Sequence, residues 1–417
     1  MSESIVKAIK AEAKTFEGIK DLDPIIDAIG DAQYVLLGEA SHGTSEFYTV
    51  RSEITKRLIK EKGFQFIGVE GDWPSCFKVN SYIKGYEEIS PEEALSAFNR
   101  WPTWMWANEE IMDLIIWLKE HNQGKQSSNV GFYGIDVYSL WESMDEILKV
   151  LGDNQSNDIE AAKKAFSCFE PFERKPEYYG VSAAFYGEEC TDEVVQLLLK
   201  VRENKHKFTM GPEDSLNLSV NSLVTLNAEA YYRTMVKGGP DDWNIRDHHM
   251  VSAVEEIANY YGPGAKGIIW EHNTHIGDAR ATDMVDEGLV NVGQIMREKH
   301  NKKVYSIGFG TYKGTVIAAK KWGEDIEVMP VPEGVEGSWE QLLNEAGAED
   351  KILVFTEENK HLFNQTIGHR AIGVVYNPEY EHLGNYVPSK ISERYDSFIF
   401  INETKALKPL TMRHVYV

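Results

Sequence analysis

The run Val35-Leu36-Leu37-Gly38-Glu39-Ala40-Ser41-His42-Gly43-Thr44 decides how the rest of the chain is read. An apolar stretch of strand character stops at a glycine, and a carboxylate and an imidazole follow at once. In an open α/β sheet the ligand crevice lies beyond the carboxyl ends of the strands, so a strand ending in Gly-Glu-x-x-His delivers two proton-handling groups there. The pattern returns three times. The run 66–72 carries Glu70 and Asp72, the run 130–136 ends in Asp136, and the run 267–270 is followed by Glu271, His272 and His275.

Composition narrows what such a site serves. At 417 residues the chain has room for one large α/β domain or for two to three average ones. A formal net charge of −23 excludes a nucleic-acid footprint, because neutralising phosphates needs clustered Lys and Arg. The cysteines, Cys76, Cys168 and Cys190, are odd in number, widely spaced and without a CxxC pair, which argues against a disulfide framework and against a thiolate metal site. The first residues carry charges every few positions rather than the apolar core of a signal peptide, and no later apolar run approaches membrane-spanning length. The expectation is a cytoplasmic protein acting on a small molecule, with neither nucleic acid nor membrane as partner. No stretch specifies an oligomeric state.

Taken in order, Ile5, Ile9, Ala13 and Phe16 predict an amphipathic opening helix, and Asp23-Pro24 opens a short second one. Residues 46–62 place Phe47, Val50, Ile54, Leu58 and Ile59 on one face and stop at Gly63, a C-cap residue. Arg51, in the second turn, could reach the crevice as a cation for a carboxylate or an oxyanion. Helices are predicted over 73–85 and about 108–121. The cluster Trp101, Trp104 and Trp106 between them suits core filling better than a ligand wall. From 140 to 261 helical periodicity dominates, interrupted by a Pro- and aromatic-rich stretch at 169–180 that reads as an ordered loop. Strands resume at 266–271, 304–309, 352–356, 371–376 and 398–402. The expected architecture is α/β. A mainly parallel central sheet flanked by helices is built from residues 1–139 and 262–417, and a helical insertion, 140–261, forms one wall of a cleft. No repeat or linker separates independent domains.

Several chemistries compete for the strand-end residues. Ser41 lacks the flanking glycines of a nucleophile elbow, and Gly38 to Thr44 lacks the lysine of a phosphate loop. A strand-end acid is also an ordinary helix N-cap, as Asp72 before Trp73-Pro74 would be. A metal site built from His42, His272 and His275 stays open, and so does a non-catalytic pocket binding a metal or haem. General-base hydrolysis needs no cofactor: a carboxylate-held histidine takes a proton from water while another His or Arg steadies the oxyanion.

The stretch Leu36-Leu-Gly-Glu-Ala-Ser-His-Gly-x-x-Glu-Phe47 with Arg51, then Gly68-Val-Glu70, Asn244-Ile-Arg-Asp247 and Trp270-x-His-Asn-x-His-Ile276, resembles the erythromycin esterase family. The likeness continues through Arg370-Ala-Ile-Gly-Val-Val-Tyr-Asn-Pro-Glu379 and Phe398-Ile-Phe-Ile-Asn-Glu-Thr404, and so covers most of the chain. Members include macrolide-lactone esterases and relatives labelled succinoglycan biosynthesis protein. The resemblance implies His42 as the base that activates water, with Glu39, Glu70, His272 and His275 around it and Arg51 matching the family's arginine. The implied substrate is a small-molecule ester or lactone. Its identity lies in loops that family membership does not fix.

Overall fold

Strand formation here follows burial on both faces. Tyr34 to Leu37 and Gly267 to Trp270 are wholly buried, which is what central strands of a parallel sheet require of near-continuous apolar sequence. The computed structural model describes residues 2–18, 21–124, 129–187, 190–204, 207–208 and 211–410. Its strands are β1 (Lys14–Thr15), β2 (Tyr34–Leu37), β3 (Phe66–Asp72), β4 (Gly131–Asp136), β5 (Gly267–Trp270), β6 (Val304–Ala319), β7 (Ile326–Val331), β8 (Lys351–Val354), β9 (Thr366–Arg370), β10 (Tyr386–Lys390) and β11 (Ser397–Thr404). The fold is mixed α/β with a mostly parallel central sheet and many helices.

Packing divides the chain into two units, one of Met1–Ile67, Ile89–Val130 and Lys266–Val417, the other of Gly68–Glu88 and Gly131–Ala265. In the first unit the strands run β1-β8-β11-β6-β2-β5, with β7 on β6. The centre is parallel: β11 with β6, β6 with β2, and β2 with β5. β1, β8 and β7 pair antiparallel at the margins. β9 and β10 form a separate antiparallel pair.

The helix Ser45–Lys62 buries Phe47, Val50, Ile54, Leu58 and Ile59, each side chain contributing about 1.5–3 kcal/mol of transfer free energy. It ends as expected at Gly63, whose φ of 71° is left-handed and whose N–H donates to Leu58 O. Trp104 and Trp106 fill core, and Trp101 packs on Trp322 with ring centroids 4.5 Å apart. Residues 371–376 do not form the expected strand. Ile372 and Val375 make only isolated bridges, to Ser41 and Ala319, and the apolar pattern there reflects burial of Ile372 and Tyr376 in a loop. Asp72 stands at the N-cap of the helix Trp73–Ile83, but its carboxylate makes no capping hydrogen bond.

In the second unit β3 and β4 are hydrogen-bonded neighbours, and between 140 and 261 every described regular element is a helix. The unit also takes in Gly68–Glu88 and β4, so packing draws its boundary outside the helical stretch. The stretch 169–180 is not the expected loop. It holds the end of a 3-10 turn (Ser167–Phe172) and the start of a helix (Pro176–Tyr186) with proline at its first position, and Phe169, Phe172 and Tyr179 enter a core that includes Trp141, Leu218 and Tyr232.

Two of the three cysteines pair, contrary to the expectation of no disulfide. Cys168 and Cys190 are joined in a disulfide with Cα atoms 5.8 Å apart, and Cys76 is free and buried. Their separation of 22 residues conceals this, because the turn and helix between them double back. No described helix is long and apolar enough to cross a membrane.

Candidate active site

Parallel pairing builds the site. Leu37 of β2 sits opposite Trp270 of β5, so Glu39 and His272, each two residues further on, leave the sheet at the same edge. Gly38 permits the exit. A Cβ there would meet Asn273 Oδ1 at 2.1 Å, closer than any side chain allows. Gly43 is pressed equally, with Ile317 O 2.0 Å from where its Cβ would be, so the loop between these glycines is held against β6.

Within that loop His42 Nδ1 and Glu39 Oε1 are 2.9 Å apart, and Arg51 Nη2 donates to Glu39 Oε2 at 2.5 Å. Glu39 is 1 % exposed and His42 7 %. An ionised carboxylate only accepts, so Nδ1 of His42 carries the proton and the ring's lone pair falls on Nε2. Arg51 supplies the counter-charge that burial of Glu39 requires. Its guanidinium lies 4.4 Å from the Tyr48 ring centroid and 4.5 Å from that of Trp270, while Nε donates to Phe47 O. Arg51 is 0 % exposed. It faces inward as expected of a cation for a carboxylate, and the carboxylate it bonds is Glu39 of the chain itself. Residues 47, 51, 54 and 58 share one stripe of the helix, and that spacing already signals a buried arginine.

His272 is the N-cap of the short helix Asn273–Ile276, and its side chain accepts from Thr274 N–H. Thr274 Oγ1 is 2.8 Å from the same Nδ1. A ring nitrogen that accepts from a backbone N–H carries no proton, so a neutral His272 has its proton on Nε2. The His42 and His272 ring centroids are 4.8 Å apart. Two neighbouring imidazoles therefore hold opposite tautomers, one with the lone pair on Nε2 and one with the proton there. His275, in the same short helix, is buried.

Glu70 makes its ion pair in the second unit. It lies inside β3 instead of beyond its end, because ladder pairing continues to Asp72. Arg246 Nη2 donates to Glu70 Oε1 (2.8 Å) and to Asp136 Oδ2 (2.7 Å), and Nε donates to Asp136 Oδ1 (2.9 Å). Burial would raise the Asp136 carboxyl, but the charge and hydrogen bonds of Arg246 outweigh it and hold the group below its usual range. His249, on the same helix as Arg246, accepts on Nδ1 from Asn227 and is pushed down by burial to about 4.

Sequence reading missed Arg246, although the quoted Asn244-Ile-Arg-Asp247 contained it. Asn273, Glu340 and His369 were also missed, and the last two carry no local signal. Among the described residues no group of three or more His, Cys, Asp or Glu is arranged to hold a metal ion.

These features define an α/β protein whose adjacent strand ends carry a carboxylate-held histidine beside a second imidazole. The erythromycin esterase family profile matches residues 59–404, and the chain belongs to that family. Membership supports a hydrolase. The chain is 23 % identical to "Erythromycin esterase type II" of Escherichia coli over 360 residues, covering 80 % of this chain and 83 % of that protein. It is 23 % identical to YbfO of Bacillus subtilis (strain 168) over 412 residues, covering 92 % and 86 %. Among solved structures, a succinoglycan biosynthesis protein superposes with a TM-score of 0.81 at 19 % identity over 98 % of both chains. A histidine-to-asparagine mutant of the erythromycin esterase EreC in its open conformation superposes at 0.66 and 15 %, covering 93 % and 94 %. These structures share the fold.

Proposed function

We propose that this chain hydrolyses a carboxylic ester or lactone with water activated by His42. The observation that carries the reading is the chain of contacts Arg51–Glu39–His42. Glu39 holds the imidazole in the tautomer whose Nε2 takes a proton from water, and it stabilises the imidazolium formed as water attacks the carbonyl carbon. The negative charge then develops on the carbonyl oxygen, where the Nε2–H of His272 is the nearby donor. Collapse of the tetrahedral intermediate expels the alcohol, and His42 returns the proton to the leaving oxygen. Water is consumed and an acid and an alcohol are released. Arg51 acts through Glu39 and touches no substrate.

A panel of esters and lactones, macrolides included, tests this with purified protein. Hydrolysis by wild type that is lost in His42→Ala is the expected result. Absence of turnover across the panel, or a His42→Ala variant as active as wild type, overturns it.

A further inference from the structure

Behind the loop of Glu39 and His42 lies a second histidine–carboxylate pair that the proposed mechanism does not use. Glu340 and His369 are both 0 % exposed. His369 Nδ1 is 2.7 Å from Glu340 Oε1, and that same oxygen accepts from Arg370 N–H at 3.0 Å. The other ring nitrogen, Nε2, lies 3.2 Å from Asn273 Nδ2.

The hydrogen-bond arithmetic allows one arrangement. Asn273 Oδ1 accepts from Phe309 N–H at 3.2 Å, and Nδ2 donates to Phe309 O at 2.7 Å, so the orientation of the amide is fixed by the β6 backbone. The second Nδ2 hydrogen is left for His369 Nε2, which must accept. Nδ1 of His369 then holds the ring proton and donates it to Glu340. Burial pushes His369 below its ordinary value and so favours this neutral ring.

Asn273 is also the hinge between the two strand ends. Its backbone N–H donates to Glu39 O at 2.9 Å, and its carbonyl accepts from Arg394 Nη2 at 3.1 Å. It directly follows His272. Its side-chain oxygen occupies the space that a Cβ on Gly38 would need. One buried residue therefore touches the backbone of Glu39 and β6, and it is covalently joined to His272.

We propose that Asn273, its amide held by the Phe309 backbone and by the Glu340–His369 pair together, is the positioning residue that holds Glu39 and His272 in register, and thereby His42. The inference rests on the reading of His42 as the base. Losing the acceptor at position 369 leaves the Asn273 amide on its two Phe309 bonds with one N–H unpaired, loosens its backbone contact to Glu39 and blurs the geometry of the Glu39–His42 hydrogen bond. The step is conformational, and no bond is made or broken.

The test uses three variants of the full chain. His369→Gln keeps an acceptor for Asn273 and a donor for Glu340. His369→Leu removes both, and His369→Asn is too short to span the two partners. The first readout is the Nδ1 proton resonance of His42 in protein carrying nitrogen-15 histidine, assigned by its loss in His42→Ala. The second is the split between kcat and KM on whichever ester wild type turns over.

The expected result is a His42 resonance that is wild-type in Gln and shifted or exchange-broadened in Leu and Asn. kcat falls at least tenfold in Leu and Asn with KM within twofold, while Gln keeps at least half of wild-type kcat. If Leu does not fold, Asn carries the comparison. An unchanged His42 resonance and unchanged kcat in a folded Leu or Asn variant that merely melts earlier overturns the proposal in favour of a structural role. Absence of ester turnover in wild type sinks the hydrolase reading instead, and the resonance still decides the positioning role.

Discussion

Arg51 Nη2 stands 2.5 Å from Glu39 Oε2 with the guanidinium against the rings of Tyr48 and Trp270, so the arginine that pairs with this buried carboxylate is itself withdrawn from solvent. A surface ion pair is worth little, but removing one member of a buried pair strands the other. Arg51→Met should lower stability by about 3–5 kcal/mol. Arg51→Lys should recover part of the loss, since the ammonium supplies charge without the planar stack. Urea denaturation of the three proteins checks this, and equal midpoints for wild type and Arg51→Met would show that Glu39 does not depend on the arginine.

Removing the histidine should have the opposite profile. His42 is held by Glu39 and lies at the margin of the buried region, with its side chain 9 % exposed. His42→Ala should lower kcat by about 10²–10⁴ on any ester the protein turns over, the range expected for general-base work, with a small stability change. Glu39→Gln should lower kcat less than Glu39→Ala, because the amide oxygen still accepts from Nδ1–H. Steady-state kinetics together with melting curves separate the two effects. A Glu39→Ala variant as active as Glu39→Gln would mean that tautomer control is not what Glu39 contributes.

Much of this is legible in the sequence. The runs 34–37 and 267–270 are apolar throughout, the composition of a strand in a doubly covered parallel sheet. Parallel pairing then forces their following residues to one edge. What escaped reading depended on distance in sequence. Nothing near Glu340 announces His369, 29 residues away, and nothing near Phe309 announces Asn273, 36 residues away. The stretch 371–376 misled for another reason: Ile372 and Tyr376 are as buried as strand residues, but their N–H groups bond to Ala40 O and Ala319 O from a loop. Arg51 is legible as an inward-facing cation, since it shares the apolar stripe of Phe47, Ile54 and Leu58.

The disulfide offers a test of the second unit alone. Cys168 and Cys190 close 22 residues that include the helix Pro176–Tyr186, and chain-entropy arguments put the stabilisation from a loop of that size at about 3 kcal/mol. Cys168→Ser with Cys190→Ser should lower the melting temperature, and a reducing agent should lower that of wild type alone. Free-thiol titration of the unfolded wild type should detect Cys76 without reductant and all three cysteines with it. Three reactive thiols before reduction would show that the bridge is not formed in solution.

His249 predicts how stability changes with pH. Its folded pKa is pushed down to about 4 by burial, while an unfolded histidine titrates near its ordinary 6.5. Between these values the unfolded chain binds a proton that the folded chain refuses, so stability must fall as pH falls. The contribution is fully present above about pH 6.5, is lost progressively towards pH 4 and stays lost below it, with a total on the order of 3 kcal/mol. Asp136 acts lower on the scale. Its depressed carboxyl contributes stability above the ordinary aspartate range and loses it as pH drops through the folded value. His249→Gln separates the two, because its side-chain oxygen still accepts from Asn227 but cannot take up a proton in this range. Urea midpoints measured from pH 7.5 to pH 4 should decline less steeply in His249→Gln than in wild type, with the difference confined to that window. Parallel curves across it would mean that His249 is not held neutral by the fold.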